Sequence, residues 1–272
     1  MRPLIAGILT LSTLVAAPAR SASPRESQSP ADNAAAAQIT VLSSNGFQAV
    51  MEDLAPRFER AKHRKLAVAY DLAATLKQNI ESGRPFDLAI LTPAAIDDLI
   101  ASGKIAAASR TPLARSGLGL AVRAGAPKPT VSTSDAFKRT LADAKSIAYV
   151  KEGASGVAFA ALVKRLGIAD ALEPKTRLKA TRDEVGEAVR GGQVEFGVLP
   201  ISEILPLPGV ELGAAFPGEI QTYIVMVGGV SAKTARAAAV RELLDFLTAD
   251  AALPTIKAKG MERMTAAAGS PR

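Results

Sequence analysis

From Gln38 onward the chain alternates short apolar runs with amphipathic helical patterns, and this alternation constrains the fold more than any other feature. Ile39-Thr40-Val41-Leu42 reads as a short buried strand. The polar turn Ser43-Ser44-Asn45-Gly46 follows. Phe47, Val50, Met51, Leu54 and Phe58 then recur at spacings of three and four, which places them on one face of a helix. Leu66 to Tyr70 is a second strand, and Leu72, Leu76 and Ile80 mark a second helix, ended by Gly83-Arg84-Pro85. Phe86 to Leu91 is a third strand, and Ile96 to Ile100 a short helix stopped at Gly103. This order argues for a parallel α/β sheet flanked by helices.

A second block repeats the rhythm without repeating the sequence. Leu118–Val122, Ser146–Val150, Phe196–Leu199 and Tyr223–Val227 read as strands. Helices are expected at Ala136–Ala142, Val157–Leu166, Glu184–Arg190 and Ala235–Leu247, with a shorter one near Ala251–Lys257. The 272 residues suit one large domain or two of ordinary size, and 48% apolar residues supply a core.

The first 37 residues read differently. Met1-Arg2 is a positive start, Leu4 to Ala17 carries no charge, and Ala17-Pro18-Ala19 is a small-x-small cleavage site. This is the pattern of a signal peptide over residues 1–19, with the mature chain expected to start at or just after Arg20. The apolar run is too short to span a bilayer, and no cysteine follows it to carry a lipid. Residues 20–37, rich in Ser, Pro and Ala, are expected to form a disordered leader. The mature protein is expected to be soluble, exported and periplasmic.

Composition removes much of conventional enzymology. There is no cysteine, so disulfides, thiolate metal sites and cysteine nucleophiles are excluded. The single histidine, His63, excludes two-histidine zinc sites and sits in the polar run Lys62-His63-Arg64-Lys65, as a solvated surface residue would. The net charge is +7, but the basic residues are scattered among 26 acids and aromatics are 4%, so nucleic acid is not an expected partner. No cofactor or metal is expected: the chain has no GxxxxGK[ST] and no GxGxxG after a strand.

Two loops remain. Gly153-Ala154-Ser155-Gly156 lies between a strand and a helix, where free backbone N–H groups and the helix dipole favour an anion. An ordinary strand-to-helix turn would look the same. Ser43-Ser44-Asn45-Gly46 ends the first strand, and its hydroxyls either cap the helix or face a ligand. Both loops lie at the carboxyl ends of strands, the edge at which open α/β sheets bind ligands.

The order of elements resembles the type II periplasmic solute-binding proteins, and specifically the molybdate-binding branch of ABC importers. The resemblance is carried by Ile39–Ser44 with the helix ending Leu54-Ala55-Pro56-Arg57-Phe58-Glu59, and by Leu76–Asp87, in which a helix ends at Gly-x-Pro and Asp87 precedes a strand. It continues in Gly191–Val198 and in Leu243–Leu247 through Lys259-Gly260-Met261, and covers nearly all of the mature chain. It implies two lobes, 38–116 plus 219–272 and 117–218, joined near Gly117-Leu118-Gly119 and Glu219–Tyr223, with the ligand in the cleft between them. A closing cleft needs no chemistry, so the protein is expected not to be an enzyme but a monomeric receptor for a small molecule or oxyanion, handed to an ABC permease.

The family's clamp is only partly present. Gly46 stands near an expected serine, Asp71-Leu72-Ala73-Ala74 replaces Gly-Ser-Ser-Gly, and Pro200 stands where a tyrosine is expected. By the resemblance, Ser43, Ser44, Asn45, Asp71, Ala73, Ala74, Thr75, Ala154 and Ser155 are the candidate ligand contacts, with Arg182 assisting. Asp71 would add negative charge beside a dianion, so the ligand is expected to be molybdate, a related oxyanion or a small organic solute. A periplasmic sensor for a membrane partner, and an exported enzyme using Asp71 and Asp183, are the alternatives.

Overall fold

The structure, a computed structural model, describes residues 38–264. The expected signal peptide and leader lie outside the described residues. Strand β1 (Gln38–Ser44) pairs in parallel with β2 (Lys65–Asp71) on one side and β3 (Leu88–Leu91) on the other. Helix α1 (Gln48–Lys62) follows a single tight turn, Asn45–Phe47, and buries Val50, Met51, Leu54 and Phe58 as their spacing dictates. It runs past Phe58 to the exposed His63, which ends it in the left-handed conformation (φ 52°). Helices α2 (Ala73–Glu81) and α3 (Pro93–Ala101) complete this half.

Strand β4 (Thr111–Arg123) is 13 residues long, more than twice the expected Leu118–Val122. Pro112 and Arg115 interrupt the apolar pattern of its first half, which hides it from a periodicity reading. Up to Gly117 it pairs antiparallel with β9 (Tyr223–Val230). From Leu118 it pairs antiparallel with β7 (Phe196–Pro200) and β8 (Val210–Ala215). Strands β5 (Ile147–Val150) and β6 (Thr176–Lys179) extend that side in parallel with β7. The order is β2-β1-β3-β9-β4-β7-β5-β6, with β8 and the two-residue β10 (Glu262–Arg263) also on β4. The sheet is therefore mixed: each half is a parallel ladder of the expected kind, and the joining strands β9 and β4 run antiparallel.

Helices α4 (Ser134–Asp143), α5 (Ala154–Arg165), the short α6 (Ala169–Leu172), α7 (Arg182–Arg190) and the short α8 (Ile201–Ile204) flank the second half. Helices α9 (Ala237–Thr248) and α10 (Leu253–Ala258) close the chain back on the first. Phenylalanines knit the layers. Phe58 meets Phe246 edge-on at 5.5 Å, and Phe216 packs on Phe137 at 4.6 Å and on Phe159 at 6.1 Å. Among the described residues no helix is long and apolar enough to cross a membrane.

Candidate functional site

Two parallel pairs of strands, β1 with β2 and β5 with β7, release the chain at their carboxyl ends toward one cavity. It is lined by Ser44, Asn45, Leu72, Ala73, Val150, Gly153, Ala154, Ser155, Arg182, Pro200, Glu203, Ile224 and Met226. The free space is about 30 Å³, enough for roughly one or two waters and too small for a multi-atom solute without opening.

Three helical starts face this space without a side-chain cap: the Asn45 turn after Ser44, α2 after Leu72, and α5 after Gly153. Helices α4 and α7 differ, because Thr133 and Thr181 accept hydrogen bonds from the N–H groups of Ala136 and Glu184. Uncapped N–H groups at the positive end of a helix dipole are donors for an anion. Helix α5 sits close to its strand because residue 156 is glycine. A Cβ there would lie 1.8 Å from the carbonyl oxygen of Val150.

The charged groups of the cavity come from the second half of the sheet. Arg182, at the start of α7, has only 15% of its side chain exposed and pairs with Asp183 at 3.4 Å. Glu203 keeps part of its surface open, yet burial pushes its carboxyl up to about 7, with Arg182 pulling it down and Asp183 pushing it up. Its position is fixed through Ser202, whose N–H donates to Ser116 Oγ at 3.0 Å and whose hydroxyl donates to the Gly46 carbonyl at 3.0 Å. Ser116 in turn donates to the Gly260 carbonyl at 3.1 Å. Three segments distant in sequence thus hold the turn that carries Glu203.

Of the residues expected from sequence, Ser44, Asn45, Ala73, Ala154, Ser155 and Arg182 line the cavity. Four others lie outside its lining. Ser43 is fully buried and donates to the Ser44 carbonyl at 3.2 Å, since neighbouring residues of a strand point to opposite faces. Asp71 turns its Oδ1 to the N–H of Leu72 at 2.7 Å instead of facing the cavity. Ala74 is exposed and Thr75 half-buried, both further along α2. The acid of the cavity is Glu203, which sequence reasoning missed. Its one available signal was its place just past the carboxyl end of the buried Phe196–Leu199 strand. Asp183, expected as a partner of Asp71 in an enzyme, is paired with Arg182 and has 69% of its side chain exposed. Among the described residues no group of acids and histidines is placed to hold a metal.

Comparison with known proteins places this geometry among relatives. The family model for bacterial extracellular solute-binding proteins matches residues 39–262. An aconitate isomerase from a Pseudomonas species is 32% identical over 234 residues, covering 84% of this chain and 88% of the relative. The molybdate-binding protein ModA of Azotobacter vinelandii is 26% identical over 235 residues, covering 84% of this chain and 90% of the relative. The solved periplasmic molybdate-binding protein of Azotobacter vinelandii superposes with a TM-score of 0.71 at 18% identity, over 84% of this chain and all of that one.

Proposed function

Since the chain belongs to the bacterial extracellular solute-binding proteins, we propose that it is an exported periplasmic receptor that closes its two lobes on a small polycarboxylate anion and hands it to an ABC permease. The observation that carries the ligand class is the presence of Glu203 in the same cavity as Arg182 and the uncapped helix starts. A tetrahedral oxyanion is held by neutral donors, and a carboxylate beside it works against binding. Among the described residues only two hydroxyls, those of Ser44 and Ser155, line this cavity. A polycarboxylate uses the same lining differently: one carboxylate shares a proton with Glu203, while others take Arg182 and the helix N–H groups. The 32% identical relative named for aconitate, an unsaturated tricarboxylate, points to the same class.

Calorimetric titration with trans-aconitate, citrate, molybdate, tungstate and sulfate tests this reading. Tight binding of a polycarboxylate with weak or absent molybdate binding is expected. Tight molybdate binding with no response to either polycarboxylate overturns the ligand class and leaves the receptor reading in place.

The buried carboxyl and the same relative favour a second reading, in which the scaffold also isomerises what it binds. Incubating the protein with trans-aconitate and following cis-aconitate by chromatography tests it directly.

A further inference from the structure

We propose that Glu203 is the acid–base group of this cleft and moves a proton between two carbons of a bound unsaturated polycarboxylate; the proposal rests on the polycarboxylate reading above.

The geometry carries it. Among the described residues Glu203 is the only carboxylic acid lining the cavity, and they bring no histidine, cysteine, lysine or tyrosine to it. Arg182 offers a guanidinium fork, which orients an anion and stabilises its charge. Among the described residues nothing hydrogen-bonds the Glu203 carboxyl, and its charged neighbours Arg182 and Asp183 both belong to α7. The carboxyl is therefore open to a ligand on the cavity side. Its Oε1 lies over Gly46, where a Cβ would stand 3.6 Å away, and Ser202 clamps the backbone beside it. Rigid placement of a single acid–base group is what a proton shift within one molecule requires. A carboxyl raised to about 7 is present in both forms near neutrality, so it takes a proton and gives it back without a second group.

The step balances on the ligand alone. The Glu203 carboxylate takes a proton from an sp³ carbon next to a carbon–carbon double bond. The electron pair of the broken C–H bond becomes a new double bond to the neighbouring carbon, and the pair of the old double bond moves to the far carbon. Glu203, now protonated, returns the proton there. One C–H bond breaks, one forms, and the double bond shifts by one carbon, with no oxidant or co-reactant. The charge that develops on the conjugated carboxylate is stabilised by Arg182 and by the N–H groups at the starts of α2 and α5.

Proton and deuterium NMR of trans-aconitate deuterated at its allylic carbon, in ordinary water with the full mature chain, tests the assignment, with calorimetry of the same samples. The wild type should remove the allylic label, carrying it to the former vinyl carbon or losing it to solvent from the protonated acid. Glu203→Gln should still bind trans-aconitate but remove the label at least about 100-fold more slowly. Glu203→Asp, which keeps the carboxyl one methylene short, should bind and remove the label at an intermediate rate; it carries the test should Glu203→Gln fail to fold. Binding with the allylic label retained in the wild type, or unchanged removal in a variant that binds, overturns the role of Glu203 and leaves the receptor reading intact. No binding of trans-aconitate or citrate to the wild type removes the polycarboxylate reading and this proposal with it.

Discussion

Gln221 holds both backbone polar groups of Leu118. Its Oε1 accepts from the Leu118 N–H at 2.8 Å and its Nε2 donates to the Leu118 carbonyl at 3.1 Å. A third bond, from Nε2 to the Phe216 carbonyl at 3.2 Å, ties in the chain that leaves β8. Leu118 is where β4 leaves β9 and takes up β7. These side-chain bonds add to backbone ones at the crossing, where the Leu118 N–H also donates to the Thr222 carbonyl at 3.2 Å and the Leu118 carbonyl also accepts from the Phe216 N–H at 3.0 Å. Gln221→Ala is expected to lower stability by about 1 kcal/mol, because it removes side-chain bonds while the Leu118 N–H and carbonyl keep their backbone partners. Urea denaturation reads this as a lower midpoint at unchanged slope. A midpoint within error of wild type would mean that water replaces the amide fully.

Glu203 links stability to pH. Its carboxyl moves from an ordinary 4.5 in the unfolded chain to about 7 in the folded one, chiefly through burial, with Asp183 adding to the rise and Arg182 opposing it. An acid with a raised folded pKa contributes its full stability below about 4.5 and loses it as the pH rises through about 7. One pKa unit corresponds to about 1.4 kcal/mol, so the change reaches up to about 3 kcal/mol. Glu203→Gln should match wild type at pH 4 and exceed it at pH 8, measured by denaturant unfolding at both. Equal stabilities at pH 8 would place the carboxylate in contact with solvent.

The parallel halves of the fold were legible because β1, β3 and β7 are buried along nearly all their length and the helices carry one apolar face, so both periods stand out. The strands that escaped notice are of another kind. Thr176-Arg177-Leu178-Lys179 is an exposed edge with no buried face to pattern it, and Val210–Ala215 has four half-buried residues in a row. At the site, the loops after β1 and β5 were legible because the carboxyl edge of a parallel sheet is a general meeting place of helix starts. Ser43 lies outside the cavity lining because strand alternation separates it from Ser44. Glu203 could not be assigned, because its proximity to Gly46 exists only once residues 157 apart in the chain have folded together through the Ser202–Gly46 bond.

Asp87 anchors the opposite edge of the first half-sheet. It is 5% exposed, and its carboxylate accepts from the Thr40 N–H at 2.8 Å, from the Thr234 hydroxyl at 2.5 Å and from Arg236 at 3.5 Å. Asp87→Ala removes one acceptor from three donors at once and should cost about 3–5 kcal/mol. Asp87→Asn keeps the shape and should cost less. Ligand affinity of the folded fraction is expected to stay at the wild-type value, since Asp87 is not part of the cavity lining. A titration showing parallel loss of affinity and stability would contradict this separation.

The close approach of α5 to β5 supplies the sharpest steric test. A Cβ at residue 156 meets the Val150 carbonyl oxygen at 1.8 Å, its carbon at 2.9 Å and the Tyr149 ring at 3.0 Å. Two of those neighbours are backbone and cannot rotate away, so Gly156→Ala must push the first turn of α5 off the strand end. Gly218 is the control, because a Cβ there meets nothing within 4 Å and the residue lies outside the cavity lining. Gly218→Ala should stay within about 1 kcal/mol of wild type. Gly156→Ala should lose about 3 kcal/mol or more, the upper range for overpacking, because relief requires a backbone shift. The same shift displaces Gly153, Ala154 and Ser155, so folded Gly156→Ala protein should also bind its ligand more weakly. Thermal unfolding and calorimetry on the two variants separate the effects. Wild-type stability in Gly156→Ala would show that α5 stands further from Val150 than these distances require.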